Sequence, residues 1–178
     1  MKKSVLCLLA DGFEEIEAVT PVDLLRRAGV EVVIASLGGQ IVTGRCGIRL
    51  EPDASLGEVD FDKFDLLFLP GGPGVQELRT DGRAAELAKD FYMRGKTIAA
   101  ICAAPLILQD AGLLEGKRFT AHFSTRGELP DALDERVVID GELVTSRGAG
   151  TALDFALALV AHLTGLEKVE EVHEAIMA

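Results

Sequence analysis

The sequence predicts an α/β fold in which helices sandwich a parallel sheet. Short apolar runs alternate along the chain with segments of helical periodicity, as repeated strand–helix units require. Three of the apolar runs stop abruptly at turns that contain acidic, glycine or cysteine residues. With 178 residues, 48% hydrophobic and 26% charged, the chain has the size and composition of one globular domain, which we expect to span residues 1–178.

The first elements follow this alternation. The apolar run from Val5 to Ala10 predicts a first central strand, and the spacing of apolar residues from Glu14 to Ala28 predicts a helix. Pro21 inside that helix predicts a kink. Residues 30–35 predict a second strand, and residues 40–50 predict short strands at the margin of the sheet.

The later elements repeat the pattern with right-handed crossovers. We expect a buried strand over 65–69, a helix over 82–93, a strand over 97–101, a helix after Cys102, a hairpin with strands 136–139 and 143–146, a helix over 152–163 and a last helix that includes 167–174.

Cys102 lies at a junction between a predicted strand and a predicted helix. The apolar run Ile98–Ile101 ends at this cysteine, and Pro105 stands where a first helical turn tolerates proline. Free amides at a helix N-terminus favour thiolate over thiol, so we expect the pKa of Cys102 to lie below about 8.5, the ordinary thiol value. This layout is that of a nucleophile elbow with sulfur in place of a hydroxyl. The alternative is a buried core cysteine.

Three strand ends meet at one edge of the predicted sheet. They are Asp11–Glu14, Pro70–Gly72 and Cys102. In open parallel sheets the ligand site lies outside the carboxyl ends of the strands, so this edge is the candidate active site. Gly71 and Gly72 allow backbone amides to approach a developing oxyanion, although a simple glycine-rich turn is the alternative.

Acidic residues and a histidine are the candidate proton carriers. Glu14 and Glu17 lie three residues apart on one helix face, while Glu15 points elsewhere. Either of the first two can face Cys102, where burial would raise its pKa; the alternative is that both complement the helix dipole. His122 follows the Cys102 helix as a candidate base or hydrogen-bond partner, or as a structural histidine.

Composition excludes several function classes. A net charge of −11 disfavours direct nucleic-acid binding. The longest N-terminal apolar run is too short for a membrane span. Three widely spaced cysteines (Cys7, Cys46 and Cys102) indicate free thiols and a reducing, cytoplasmic location rather than a disulfide framework. No metal-ligand spacing and no phosphate loop is present, so we expect neither a metal nor a cofactor.

Two relatives of this layout do not fit. Glutamine amidotransferases carry a His-x-Glu after the cysteine, whereas His122, His162 and His173 are followed two residues later by Ser, Thr and Ala. Related intracellular proteases place a histidine directly after the cysteine, where this chain has Ala103.

The motifs together resemble the parkinsonism-associated deglycase branch of the ThiJ/PfpI superfamily. Their likeness covers residues 5 to about 165 and is carried by Ala10–Glu17, Pro21–Asp23, Arg26–Gly29, Leu69–Gly72, Ala99–Pro105 and Thr145–Thr151. The resemblance implies a flavodoxin-like, doubly wound, mostly parallel sheet (class I glutamine amidotransferase-like) and a homodimer.

The resemblance also implies site residues. By motif, Cys102 matches the oxidisable nucleophile, Glu17 the carboxylic acid that touches it, and His122 the nearby histidine. The amides of Gly72 and Ala103 match the anion-binding donors of the branch, beside Gly71, which is a candidate from the glycine-rich loop alone.

Two segments carry less information. Cys46 falls near the second, peripheral cysteine of the branch, to which we assign no catalytic role. Residues 123–128 depart from the animal members, so this segment does not carry over their substrate selectivity.

The chemistry implied is cofactor-free conversion of α-oxoaldehydes, such as methylglyoxal and glyoxal, to 2-hydroxy acids, or deglycation of their amine and thiol adducts. The alternative is a stress sensor or holdase chaperone that acts through oxidation of Cys102 without turnover. A third reading is a dimeric small-molecule-binding protein with a vestigial site.

Overall fold

A computed structural model describes residues 2–178. The strands are β1 (Ser4–Leu9), β2 (Glu31–Ser36), β3 (Val42–Thr43), β4 (Arg49–Leu50), β5 (Ala54–Ser55), β6 (Leu66–Leu69), β7 (Thr97–Ile101), β8 (Val137–Asp140) and β9 (Leu143–Ser146). The α-helices are α1 (Glu15–Arg27), α2 (Val75–Asp81), α3 (Arg83–Met93), α4 (Pro105–Asp110), α5 (Ala152–Thr164) and α6 (Leu166–Ala175). Single 3₁₀ turns cover Leu56–Glu58, Phe61–Lys63, Phe123–Thr125 and Ala149–Thr151.

Seven strands form one sheet in the order β5-β2-β1-β6-β7-β9-β8. Its neighbouring strands are parallel except for the β8–β9 hairpin. The predicted α/β class with a mostly parallel sheet is therefore confirmed. The short strands expected within residues 40–50 are present as β3 and β4, but their expected place at the margin of the main sheet is wrong, because they pair only with each other and β5 forms the edge. Because β5 pairs with β2 and occupies this edge of the main sheet, the β3–β4 hairpin cannot pair with β2 there.

The sheet separates two hydrophobic layers. Alternate residues of β1 point to opposite faces, so Leu6 and Leu8 pack with α2, α3 and α4, while Cys7 and Leu9 pack with α1 and α5. Cys7 is fully buried, and this burial raises the pKa of its thiol. Helices on both faces leave only the ends of the strands open for chemistry.

Helix α1 follows β1 and contains a proline, so its cap and its packing matter for its stability. Glu14 caps α1, since its carboxylate accepts a hydrogen bond from the Glu17 amide at 2.8 Å. Pro21 lies inside α1, and the helix continues beyond it to Arg27. Packing against α5 through buried Leu24 and Leu25 stabilises the helix despite the lost backbone bond.

Within residues 2–178, no helix is long and apolar enough to cross a membrane. The same residues contain no group of three or more histidine, cysteine or acidic side chains arranged to hold a metal ion.

Candidate active site

Cys102 is the first residue after β7, and its backbone is strained. Its φ of 65° lies in the left-handed region, which a residue with a Cβ adopts only at some cost. The Cys102 amide donates to the Ser146 carbonyl at 2.8 Å, and the Ala104 amide turns back to the Ile101 carbonyl at 3.1 Å. The sharp strand-to-helix junction expected from the sequence is present, with the sulfur held at its apex.

Glu17 is the carboxyl that meets Cys102. Its side chain is 1% exposed and bonds to the Cys102 thiol, while the Gly71 amide donates to its Oε2 at 3.1 Å. Burial raises the pKa of Glu17 to about 7, and the charge of Glu14 adds to the rise. Of the two carboxyls that the sequence left open, Glu14 caps α1 and Glu17 faces the sulfur.

The expected low pKa of Cys102 is wrong while Glu17 is ionised. Burial and the neighbouring Glu17 carboxylate raise the pKa of the thiol to about 12, although the amides of Gly72 and Ala103 bond to the sulfur and lower it. The lowering of the thiol pKa by these amides is thus smaller than the rise caused by burial and by Glu17. Near neutral pH the pair loses one proton, and the remaining proton is shared between sulfur and carboxylate oxygen.

Gly71 and Gly72 are required for this close packing. A Cβ at Gly71 would overlap the Glu17 carboxylate and lie 2.6 Å from the Cys102 Cβ. Gly72 has a φ of 96°, and a Cβ there would lie 2.5 Å from the Gly12 carbonyl oxygen. Both glycines therefore allow the loop after β6 to touch the loop after β1 and the cysteine together.

His122 lies beside the cysteine through its backbone. Its amide donates to the Cys102 carbonyl at 2.8 Å, and its Nδ1 accepts from the Ser124 amide at 3.3 Å. Burial, with a smaller effect from Arg45, lowers the pKa of His122, so the ring is neutral near pH 7. With Nδ1 acting as acceptor, the ring proton lies on Nε2, which makes His122 a hydrogen-bond donor rather than a ready base.

Sequence reasoning gave no role to the loop after β9. The Ala149 amide lowers the pKa of Glu17, and a Cβ at Gly148 would lie 3.4 Å from His122 Cδ2 and 3.9 Å from Glu17 Oε1. This loop closes the site between the carboxyl and the imidazole. The glycines in Arg147–Thr151 were the available signal, since they precede a helix at a strand end.

Glu15 also has a structural role that the sequence did not reveal. Its Oε1 accepts from the Cys46 amide at 2.8 Å and the Ile48 amide at 3.3 Å, which fixes the β3–β4 hairpin against α1. Its Oε2 is buried and has no hydrogen-bond partner within residues 2–178.

Comparisons with known proteins agree with this geometry. Residues 3–162 match the DJ-1/PfpI family. The chain is 42% identical over 183 residues to Protein dj-1beta of Drosophila melanogaster, covering 99% of this chain and 98% of that protein. It is 37% identical over 172 residues to the glutathione-independent glyoxalase DJR-1.2 of Caenorhabditis elegans, covering 94% and 92%.

Further matches link the chain to deglycases and to a solved structure. It is 37% identical over 150 residues to Deglycase PfpI of Pyrococcus furiosus, covering 82% of this chain and 90% of that protein. The crystal structure of Drosophila melanogaster DJ-1beta superposes with a TM-score of 0.95 at 41% identity, covering 100% of this chain and 99% of the other.

Proposed function

The chain belongs to the DJ-1/PfpI family, and from this premise we propose that it converts α-oxoaldehydes to 2-hydroxy acids without a cofactor. Methylglyoxal and glyoxal are the simplest substrates, and their amine and thiol adducts are the deglycation substrates, in a stress-protection role. The observation that carries the proposal is the bond between Cys102 at its strained junction and Glu17, whose pKa is raised to about 7. A nucleophile and a proton carrier matched to neutral pH are what this reaction requires.

The first step is addition of sulfur to the aldehyde. Proton transfer within the Cys102–Glu17 pair yields thiolate and neutral carboxylic acid, and the thiolate forms the S–C bond of a hemithioacetal. The amides of Gly72 and Ala103 lower the pKa of the Cys102 thiol in the free protein, and in this step they donate to the former aldehyde oxygen as it gains negative charge. The acid proton of Glu17 can then move to that oxygen.

The second step is an internal redistribution of hydrogen. The Glu17 carboxylate takes the proton from the hemithioacetal carbon, which gives an enediolate with its charge on the former ketone oxygen. The hydroxyl proton of the hemithioacetal passes to that oxygen, and Glu17 returns its proton to the former ketone carbon as the carbonyl of the thioester forms. His122, with its proton on Nε2, donates a hydrogen bond to the ketone oxygen as charge develops there. The result is a thioester of the 2-hydroxy acid, and water cleaves it to regenerate the Cys102 thiol, so no oxidant or reductant is consumed.

Lactate formation from methylglyoxal in the absence of glutathione tests the proposal. We expect turnover by the natural sequence and a loss of about a hundredfold or more in Cys102→Ser and Glu17→Gln, because each variant removes a reacting group. Cys46→Ser is the matched control, since Cys46 is exposed and its side chain has no part in these steps. Full turnover by Glu17→Gln with intact circular dichroism would contradict the role of Glu17.

A second candidate function is supported by the amide donors. Gly72 and Ala103 bond to the Cys102 sulfur, and the same donors would hold the oxygens of a sulfinate beside protonated Glu17. A protein that signals or acts as a holdase through this oxidation would show it without methylglyoxal turnover. Mass spectrometry after mild peroxide treatment, together with the lactate assay, separates the two functions.

The proposal extends to the state of the protein in the cell. We propose one domain over residues 1–178 that forms a homodimer, supported by the exposed apolar side chains of Ile16, Val19 and Ile48 around α1. Free thiols, among them the exposed Cys46, support a reducing cytoplasmic location. The net charge of −11 supports small-molecule substrates over nucleic acid.

A further inference from the structure

A cavity of about 490 Å³ adjoins the candidate active site. It shares His122, Gly148 and Ala149 with that site. Gly148 is the common wall, because a Cβ on it would lie within 4 Å of both His122 Cδ2 and Glu17 Oε1. A substrate held by Cys102 therefore has room to extend past His122 into this space.

The cavity is lined by three arginines in a chain whose net charge is −11. Arg136 Nε donates to Asp154 at 2.6 Å, and Arg147 donates to Asp134 at 3.0 Å. Arg126, by contrast, makes no side-chain hydrogen bond or ion pair within residues 2–178. Since Asp154 and Asp134 neutralise two of the three arginines, the cavity has one net positive charge, which is located at Arg126.

An apolar surface connects this charge with the reacting atoms. The Phe123 ring is in the same cavity, is 74% exposed and packs on the His122 imidazole with ring centroids 4.2 Å apart. A short methylene chain can lie along Phe123 between His122 and the Arg126 guanidinium. The three features belong to the segment 122–126, which also contains the 3₁₀ turn Phe123–Thr125.

We propose that this cavity binds a carboxylate at the far end of the substrate. The preferred substrates are then α-oxoaldehydes, or their adducts, in which a short apolar chain joins the dicarbonyl to a carboxylate. A guanidinium pairs with a carboxylate through two parallel hydrogen bonds, and one net positive charge matches one negative charge. The inference rests on the proposed function for the identity of the reacting group, but the carboxylate site itself can be measured without turnover.

Calorimetric titration with the 2-hydroxy acid products tests binding directly. α-Hydroxyglutarate carries the additional carboxylate, and α-hydroxyvalerate has an uncharged chain of the same length. We expect hydroxyglutarate to bind the natural sequence more tightly by about tenfold, and Arg126→Gln to abolish this difference. Lys89→Gln on α3 removes the same charge at an exposed position outside the cavity and should preserve the difference. Equal affinities of the two acids for the natural sequence would overturn the proposal.

Turnover separates this inference from the proposed function. Dioxovalerate is the α-oxoaldehyde that yields hydroxyglutarate, and propylglyoxal is its uncharged counterpart. We expect kcat/KM to favour dioxovalerate by about tenfold, mainly through KM, and Arg126→Gln to remove that ratio. Equal rates on both aldehydes would reject the carboxylate site and keep the proposed function. Selective hydroxyglutarate binding without turnover of any aldehyde would keep the carboxylate site and reject the proposed function.

Discussion

Cys102 and Glu17 are best understood as one titrating unit. The sulfur and the carboxylate share a buried hydrogen bond, so ionising one raises the pKa of the other. A buried carboxyl is unfavourable for stability once it is charged, yet it supplies an acid that loses its proton near neutral pH. The left-handed φ of Cys102 adds local strain. The burial of Glu17 and the strain at Cys102 thus lower the stability of the fold, while they provide a reactive thiol and an acid at the end of β7.

Replacing Glu17 by Gln should change how stability depends on pH. The pKa of Glu17 in the folded protein, about 7, lies above the ordinary value of 4.5, so the native state favours the protonated form. The resulting stability is complete below pH 4.5, falls as the pH rises and is lost once the pH passes about 7. Relative to Glu17→Gln, the free energy of unfolding of the natural sequence should fall by about 3 kcal/mol over this window. Urea denaturation at several pH values measures it, and a constant difference would contradict the raised pKa.

The alkylation rate of Cys102 should report the same ionisation. The pair first loses a proton near pH 7, and a fraction of the resulting monoanion carries its charge on sulfur. We therefore expect the iodoacetamide rate at Cys102 to rise with an inflection near pH 7, and Glu17→Gln to abolish that inflection. Peptide mass spectrometry follows exposed Cys46 in the same samples as an internal control, and buried Cys7 should remain unlabelled. An unchanged profile in Glu17→Gln would show that the two groups titrate independently.

At the scale of elements, the sequence predicts features that depend on residues adjacent in the chain, but not features that depend on contacts between distant segments. The β7–Cys102–α4 junction was predictable, because an apolar run, a cysteine and a proline are adjacent in the chain. The reversal of the expected Cys102 pKa was not, because it depends on how deeply Glu17 is buried. The glycines after β9 marked a turn at a strand end, but the contacts of Gly148 were not predictable, since only packing brings this loop between His122 and Glu17.

The loop after β6 should tolerate no side chain at Gly72. An alanine there would have to keep a φ of 96° with its Cβ 2.5 Å from the Gly12 carbonyl and 2.6 Å from the Glu14 amide nitrogen. Because backbone atoms cannot move aside cheaply, we expect Gly72→Ala to lower the free energy of unfolding by about 3 kcal/mol or more. Thermal denaturation measures the change. Gly57→Ala, whose Cβ meets nothing within 4 Å, is the matched control and should be near neutral; equal stability of the two variants would contradict the close approach.

For the whole molecule, the surface around α1 exposes a group of large apolar side chains. Ile16, Val19 and Ile48 are 54%, 47% and 59% exposed. They are neighbours, because Glu15 holds the Ile48 amide against the first turn of α1. Exposed apolar side chains that lie together are the feature that association with a second copy would bury.

A charged residue at Val19 should therefore produce monomers. Val19 is 47% exposed and belongs to this apolar surface, so an arginine there would have to be desolvated in each copy of a symmetric pair. We expect the natural sequence to show twice the mass of one chain in light scattering at micromolar concentration, and Val19→Arg to show the mass of one chain with unchanged circular dichroism. Met93→Arg adds the same charge at a side chain that is 77% exposed on α3, away from α1, and should remain dimeric. A single-chain mass for the natural sequence would reject the homodimer, and a dimeric Val19→Arg would move the interface away from α1.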